Sequence, residues 1–136
     1  MRLATLAVLS LVVVACGPMD LDGITVTDHT DALTSAANDN LFTLTLSKAP
    51  APLAMADLLV TVGCPGQTTT AVNFTHNDTN GDGKLDVGES LSCKEPPLNL
   101  WDASVVGKTA TISLDTRQSN STVLRAIASA QWTPAN

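Results

Sequence analysis

The 136-residue sequence is poor in aromatic and basic residues. It has no tyrosine, two phenylalanines and two tryptophans, and seven Lys+Arg stand against 13 Asp+Glu. The scarcity of aromatic rings argues against a stacking platform for bases or sugars. The formal net charge of −6, with no cluster of Lys or Arg, argues against nucleic acid and anionic lipid headgroups as partners and suits a cation instead. A chain of this length is expected to form one domain.

The sequence also lacks a set of residues that would nominate an enzyme. No motif places its two histidines, His29 and His76, together. No serine stands in a nucleophile elbow, and no phosphate-binding glycine loop precedes a predicted helix. Asp57 and Asp102 lie near predicted strand ends without an identifiable acid–base partner. We therefore expect a non-catalytic protein.

The one long apolar run, residues 3–14, is interrupted only by a threonine and a serine. It is shorter than the about 20 residues that a membrane-spanning helix needs, and it has the length of a signal-peptide core. Val13-Val14-Ala15-Cys16 ends the run and resembles the lipobox of bacterial lipoproteins, with Val at position 13 in place of the commoner Leu.

The lipobox resemblance implies how the chain is processed and where it resides. Residues 1–15 would be a signal peptide, Cys16 would carry the lipid, and residues 16–22 would tether a domain at residues 23–136. Several acyl chains on one residue suffice for stable anchoring, so the membrane is the expected partner of Cys16. We expect an extracytoplasmic protein anchored to a bacterial membrane, at the outer membrane or cell surface. An ordinary cleaved signal with an incidental cysteine is the alternative.

The two remaining cysteines, Cys64 and Cys93, are expected to pair in an oxidising compartment. A disulfide that closes a loop of about 30 residues stabilises a fold by roughly 3–4 kcal/mol in the chain-entropy model. Two free buried thiols are the alternative.

The rest of the chain is rich in Val, Thr and Ile and has no long helical period, which predicts short β-strands. Within residues 41–46, Phe42, Leu44 and Leu46 alternate with two threonines, and residues 109–114 alternate in the same way, as strands with one buried face do. Further strands are expected at residues 24–27, 58–62, 71–74 and 91–93. Seven or eight short strands separated by turn signals predict an all-β fold, an antiparallel Ig-like β-sandwich.

Residues 121–132 fit either a helix or a strand. Helical spacing is shared by Val123, Leu124, Ile127 and Ala128. Strand alternation is shared by Leu124, Ala126, Ala128, Ala130 and Trp132. We expect a strand, because the neighbouring segments are strands and a sandwich core needs a closing partner. Trp101 and Trp132 are expected to be core or edge anchors.

The most informative motif is an acidic loop of twelve residues, Asp78-Thr79-Asn80-Gly81-Asp82-Gly83-Lys84-Leu85-Asp86-Val87-Gly88-Glu89, which resembles the EF-hand calcium loop at every ligand position. The expected ligands are the side chains of Asp78, Asn80, Asp82, Asp86 and Glu89 and the backbone carbonyl of Lys84. Calcium takes about six to eight oxygen ligands from a flexible loop, and glycine at position six permits the sharp turn. Four carboxylates so close together would repel one another without a cation. The sequence therefore predicts a Ca²⁺ site inserted in the sandwich.

The flanks of this loop depart from the EF-hand family. Residues 68–77 are rich in Thr and Asn, and Pro96-Pro97 leaves little room for an exiting helix. The helix–loop–helix lever of calcium sensors is thus expected to be absent, and the loop looks more like dockerin-type or surface-protein loops between β-strands. A structural ion is favoured over a signalling one. His76, just before the loop, either contacts the second shell of the site or, as is commoner, is a solvated loop histidine.

A further resemblance is to the β-domain of archaeal flagellin- and pilin-like proteins. It is carried by Phe42-Thr43-Leu44-Thr45-Leu46, Met55-Ala56-Asp57-Leu58-Leu59-Val60, residues 81–90 and Gly107-Lys108-Thr109-Ala110-Thr111-Ile112. It implies a sandwich, but the long apolar helix that assembles such filaments has no counterpart here. Bacterial Ig-like surface domains also carry acidic Asn-Gly-Asp-Gly…Gly-Glu loops and are an equal alternative.

These patterns together predict a lipid-anchored, calcium-binding β-sandwich with a structural or adhesive role. Two alternatives stay open: a sensing or carrier module in which calcium gates a partner, and a flagellin- or pilin-like subunit. A secreted enzyme would need a pocket with convergent polar groups, which we would expect beside the calcium loop.

Overall fold

The computed structural model describes residues 23–118 and 121–136, and the chain is all-β over these ranges. The strands are β1 (Ile24–Asp28), β2 (Asn40–Leu46), β3 (Leu53–Ala54), β4 (Leu58–Gly63), β5 (Thr70–Asn77), β6 (Lys84–Leu85), β7 (Ser90–Lys94), β8 (Ala110–Arg117) and β9 (Leu124–Trp132). Met55–Asp57 and Ala103–Val105 form single 3-10 turns. No helix within the described ranges has the length and apolarity needed to cross a membrane.

Seven of the described strands form one antiparallel sheet in the order β1-β2-β7-β5-β4-β8-β9. Strand β5 belongs to both halves of it, because residues 70–72 pair with β4 and residues 73–77 pair with β7. The sheet turns at β5 into two layers, and the short strands β3 and β6 pair with each other beside them. The predicted all-β antiparallel sandwich is confirmed.

The buried core lies between the two layers and follows the predicted alternation. The core side chains on the predicted faces of β2 and β8 are Phe42, Leu44, Leu46, Ala110, Ile112 and Leu114, and Leu41 of β2 is buried in addition to them. The sandwich closes where β9 returns to β1: the Trp132 ring lies 5.0 Å from that of Phe42, and its indole N–H donates to Asp28 Oδ1 at 2.7 Å. Asp28 Oδ2 also accepts the backbone N–H of Ala135 at 2.8 Å. These side-chain contacts join the two ends of the sheet.

Strand β9 resolves the ambiguity over residues 121–132 in favour of a strand. Its predicted inward face is confirmed at the end of the strand, where Trp132 is buried, but Leu124 at the start is 44% exposed. The register of β9 against β8 shifts between Leu114 and Asp115. Such a bulge leaves one residue of β9 unpaired, so the side chains that precede it point to the opposite face of the sheet from the one that the alternation predicts.

The predicted disulfide is corrected by the structure, because Cys64 and Cys93 are free, buried thiols. Cys93 of β7 lies opposite Phe74 in the middle of β5. Cys64 follows the end of β4, where Val62 lies opposite Thr70, the first residue of β5. Four residues of extended strand separate these levels by about 13 Å, whereas a disulfide needs Cα atoms within about 7 Å. The alternative of two free thiols is therefore the correct one.

The predictions for the N-terminus concern residues that the structure does not describe. The signal peptide at residues 1–15, the lipidated Cys16 and the tether at residues 16–22 all lie outside the described ranges. They stay predictions.

Candidate metal centre

The acidic loop at residues 78–89 connects β5 to β7, which lie side by side in the sheet. Asn77, the last residue of β5, pairs with Ser90, the first residue of β7, and its Nδ2 donates to Ser90 Oγ at 2.9 Å. The segments that enter and leave the loop are these strands and not helices. The prediction from the flanks is therefore confirmed, and both ends of the loop are fixed to the sheet.

The second half of the loop is also attached to the body of the protein. Leu85 is fully buried in the core and pairs with Leu53 of β3. The backbone N–H of Gly88 donates to the carbonyl of Leu46 at 2.8 Å, and the Leu46 N–H donates to the carbonyl of Glu89 at 3.0 Å. Leu85 is a core residue that was not expected from the sequence; a lone leucine within an acidic, polar stretch was the available signal.

The first half of the loop folds around the carboxylate of Asp78. Asp78 Oδ1 accepts the backbone N–H of Gly81 at 2.7 Å, and Oδ2 accepts that of Gly83 at 2.9 Å. Gly83 has a φ of 73°, in the left-handed region that glycine adopts most readily. The hydrogen bond from Gly83, followed by that from Gly81, lowers the pKa of Asp78. The loop thus holds this side chain as an anion.

Asn80 and Asp82 form similar local turns on the exposed side of the loop. Asn80 Oδ1 accepts the N–H of Asp82 at 2.9 Å, and Asp82 Oδ1 accepts the N–H of Lys84 at 2.8 Å. Asn80 Nδ2 donates to Asp86 Oδ2 at 2.8 Å. Three predicted ligands are therefore ordered by the loop itself, and two of them, Asn80 and Asp86, are in direct contact.

Glu89 closes the loop from the inside and is only 3% exposed. Its Oε1 accepts the N–H of Thr79 at 2.8 Å and the hydroxyl of Thr79 at 2.9 Å. Its Oε2 accepts the N–H of Asp86 at 3.1 Å and lies 2.9 Å from Nε2 of His76. The amide hydrogen bonds from Thr79 and then Asp86 lower the pKa of Glu89 to about 2. Glu89 is therefore the centre of the loop's hydrogen-bond network.

His76 differs from the favoured expectation of a solvated loop histidine. Its side chain is 11% exposed and contacts Glu89, so the alternative, a contact with the site, is the correct one. The alternation of β5 could have predicted this contact, because every second residue of a strand lies on the same face and His76 stands two residues before the loop residue Asp78.

The structure brings three side chains that could hold a metal ion into one group. One ligand atom from each of His76, Asp78 and Glu89 lies within 4.8 Å of the others, and Asp82 and Asp86 do not join this group. The oxygen donors of the loop fit the preference of calcium. A carboxylate has about four acceptor positions, and all those of Glu89 are in use, so a calcium ion would have to displace some of its hydrogen-bond donors.

A cavity of about 380 Å³ lies at the other end of β5 and is lined by residues 66–68, Thr70 and residues 99–101. The buried Glu95 holds one wall in place, because its Oε1 accepts the N–H groups of Leu100 and Trp101 at 2.6 Å each. Thr70 begins β5 and the acidic loop follows its last residue. The cavity is thus separated from the loop by the length of the strand.

Comparison of the chain with protein-family models, curated proteins and solved structures finds no match in any of the three. The case for a function therefore depends on the contacts within the chain itself.

Proposed function

We propose that the protein is a calcium-binding β-sandwich, anchored outside the cytoplasm by a lipid on Cys16, that acts as a non-catalytic structural or adhesive surface module. The loop at residues 78–89 is the observation that carries the proposal. Its six oxygen ligands follow the calcium-loop order, and the loop bridges two paired strands of the sheet.

The charge of the loop supports a cation as its ligand. Asp78, Asp82, Asp86 and Glu89 are four carboxylates on one short connection, and Lys84 is the basic residue among them. The Lys84 ligand would be its carbonyl, so its ammonium group can extend into solvent. A divalent ion offsets half of the carboxylate charge, and calcium accepts the all-oxygen ligand set that the loop offers.

The attachments of the loop support a structural role for the ion. The pair Asn77 and Ser90, the buried Leu85 and the Gly88–Leu46 hydrogen bond fix the loop to the sheet at three places. An ion held by such a loop has no helix pair to open, in contrast to sensors of the helix–loop–helix kind. We expect calcium to add resistance to heat and proteolysis and to leave the sheet unchanged.

Thermal unfolding of the full chain in calcium and in chelator tests this proposal. Calcium should raise the Tm of the wild type, because a ligand at about 100 times its Kd adds about 2.7 kcal/mol to the free energy of unfolding. Asp82→Ala should lose most of this shift, because alanine offers no side-chain oxygen. Asp57→Ala, the same substitution outside the loop, should keep it. Equal shifts in the two variants, or no shift in the wild type, would refute calcium binding at this loop.

The binding of an apolar dye in the same samples separates the structural role from the sensing or carrier role. A structural ion should leave dye fluorescence the same with calcium and with chelator, whereas a gated module should bind more dye when loaded. The membrane anchor has its own test: Cys16→Ala should move the protein from the membrane fraction to the soluble fraction. Retention of that variant in the membrane would refute the lipid on Cys16.

A further inference from the structure

His76 adds a nitrogen ligand to the acidic loop that the calcium motif does not use. It lies on β5 two residues before Asp78, and its Nε2 is 2.9 Å from Glu89 Oε2. Calcium takes oxygen ligands, whereas imidazole nitrogen suits zinc and neighbouring transition metals. The largely buried histidine therefore changes which ions the inner end of the loop can bind.

We propose that His76, Asp78 and Glu89 form a zinc site that competes with calcium for the loop. One ligand atom from each of the three lies within 4.8 Å of the other two. Two ligands of a tetrahedral zinc ion with bonds of about 2.0–2.2 Å lie roughly 3.3–3.6 Å apart. Small side-chain adjustments thus suffice to place all three on one ion, with water as the fourth ligand.

The surroundings of the three side chains match this ion in charge and in orientation. A neutral imidazole and two carboxylates balance the double positive charge of zinc. Thr79 holds Oε1 of Glu89 through two hydrogen bonds, and Oε2 lies against His76 while it also accepts the Asp86 N–H at 3.1 Å. Zinc would take the place of the hydrogen bond between Glu89 and His76, and the imidazole proton would then reside on Nδ1.

The inference rests on the proposed function, because zinc and calcium would share Asp78 and Glu89. The two ions would differ in their other ligands. Asp82 belongs to the calcium set but not to the group around His76, and His76 belongs to the zinc set alone. Zinc and calcium binding should therefore exclude each other and respond to different substitutions.

Calorimetric titration of the full 136-residue chain with Zn²⁺ and, separately, with Ca²⁺ tests this inference. His76→Gln should weaken zinc binding by about tenfold or more and should change calcium binding much less, because His76 contacts the calcium ligand Glu89 but is not itself a calcium ligand. Asp82→Ala, which removes a calcium ligand, should weaken calcium binding and leave zinc binding unchanged. His29→Gln, the same substitution at the other histidine, should change neither. Zinc added to the calcium-loaded wild type should release calcium.

A second measurement uses only the wild type, so it does not depend on the folding of a variant. Zinc should shift the imidazole NMR signals of one of the two histidines, His76, and leave those of His29 unchanged. Absence of zinc binding, or zinc binding that neither shifts His76 nor weakens in His76→Gln, overturns the inference and leaves the calcium proposal intact. Zinc binding that depends on His76, in a chain that does not bind calcium, supports the inference and refutes the proposed function.

Discussion

Replacement of Asp28 by alanine should loosen the closure between β1 and β9. Asp28 accepts the Trp132 indole N–H at 2.7 Å and the Ala135 N–H at 2.8 Å. Trp132 is 3% exposed, so the substitution leaves a buried donor without its acceptor. A hydrogen bond to a charged group contributes about 1.5–3 kcal/mol, and an orphaned buried donor costs about 1–3 kcal/mol. The Ala135 amide is exposed and can bond to water, so we expect a total loss of about 2–4 kcal/mol.

Urea unfolding followed by circular dichroism measures this loss, which corresponds to a fall in Tm of roughly 8–16 °C for a domain of this size. Asp28→Asn keeps an acceptor oxygen for Trp132 and should lose about half as much. Asp57→Ala is the control, because the Asp57 carboxylate has no hydrogen bond or ion pair with the described residues. Equal losses in Asp28→Ala and Asp57→Ala would refute the reasoning that Asp28 closes the sandwich.

Three more outcomes concern the acidic loop, the thiols and the start of β1. Hydrogen bonds lower the pKa of Glu89 from 4.5 to about 2, so its contribution to stability is present above pH 4.5 and is lost as the pH falls towards 2. Acid unfolding should therefore take up about one proton more in the wild type than in Glu89→Gln, and parallel acid-unfolding curves would contradict this. Burial raises the pKa of Cys93 to about 12 and also raises the pKa of Cys64. In the absence of a reductant, mass spectrometry should therefore find both thiols alkylated only after the protein has been unfolded. A disulfide-linked pair of peptides would contradict the prediction of two free thiols. Gly23 has a φ of 137°, and a Cβ at this position would lie 2.9 Å from the Lys48 carbonyl oxygen. Gly23→Ala should therefore lower the free energy of unfolding by about 1–3 kcal/mol. Unchanged thermal unfolding of this variant would contradict the prediction.

The strands with one solvent-exposed face were the most predictable part of the fold. Alternation located β2 and β8 to within a few residues and identified most of their buried side chains, although it did not identify Leu41. Alternation works here because one face of each strand must be excluded from water. It fails at the start of β9, where the bulge changes the side on which Leu124 lies, and a bulge depends on the partner strand and not on local sequence.

The disulfide could not be judged from the sequence, because strand order is not a local property. Cys64 and Cys93 bracket the loop along the chain, but β5 lies between β4 and β7 in the sheet. Two cysteines that are near in sequence and on non-adjacent strands can pair only if their levels along the strands agree. The double pairing of β5, with β4 at its start and with β7 at its end, places them at different levels.

The acidic loop was predictable as a motif and less so as an arrangement. Spacing alone predicted its ligand positions, which stay predictions, and the structure shows that Asp78 and Glu89 lie together. The contacts of Glu89 with Thr79 and His76 come from the pairing of β5 with β7, which spacing within the loop does not encode.

Calorimetric titration of calcium into the full chain, beside the Asp78→Ala/Glu89→Gln double variant, measures calcium binding at the loop itself. We expect micromolar or tighter binding to the wild type and no heat of binding in the variant, with both proteins folded by circular dichroism. No heat in the wild type, or the same heat in both proteins, would contradict this expectation and reduce the loop to an acidic turn.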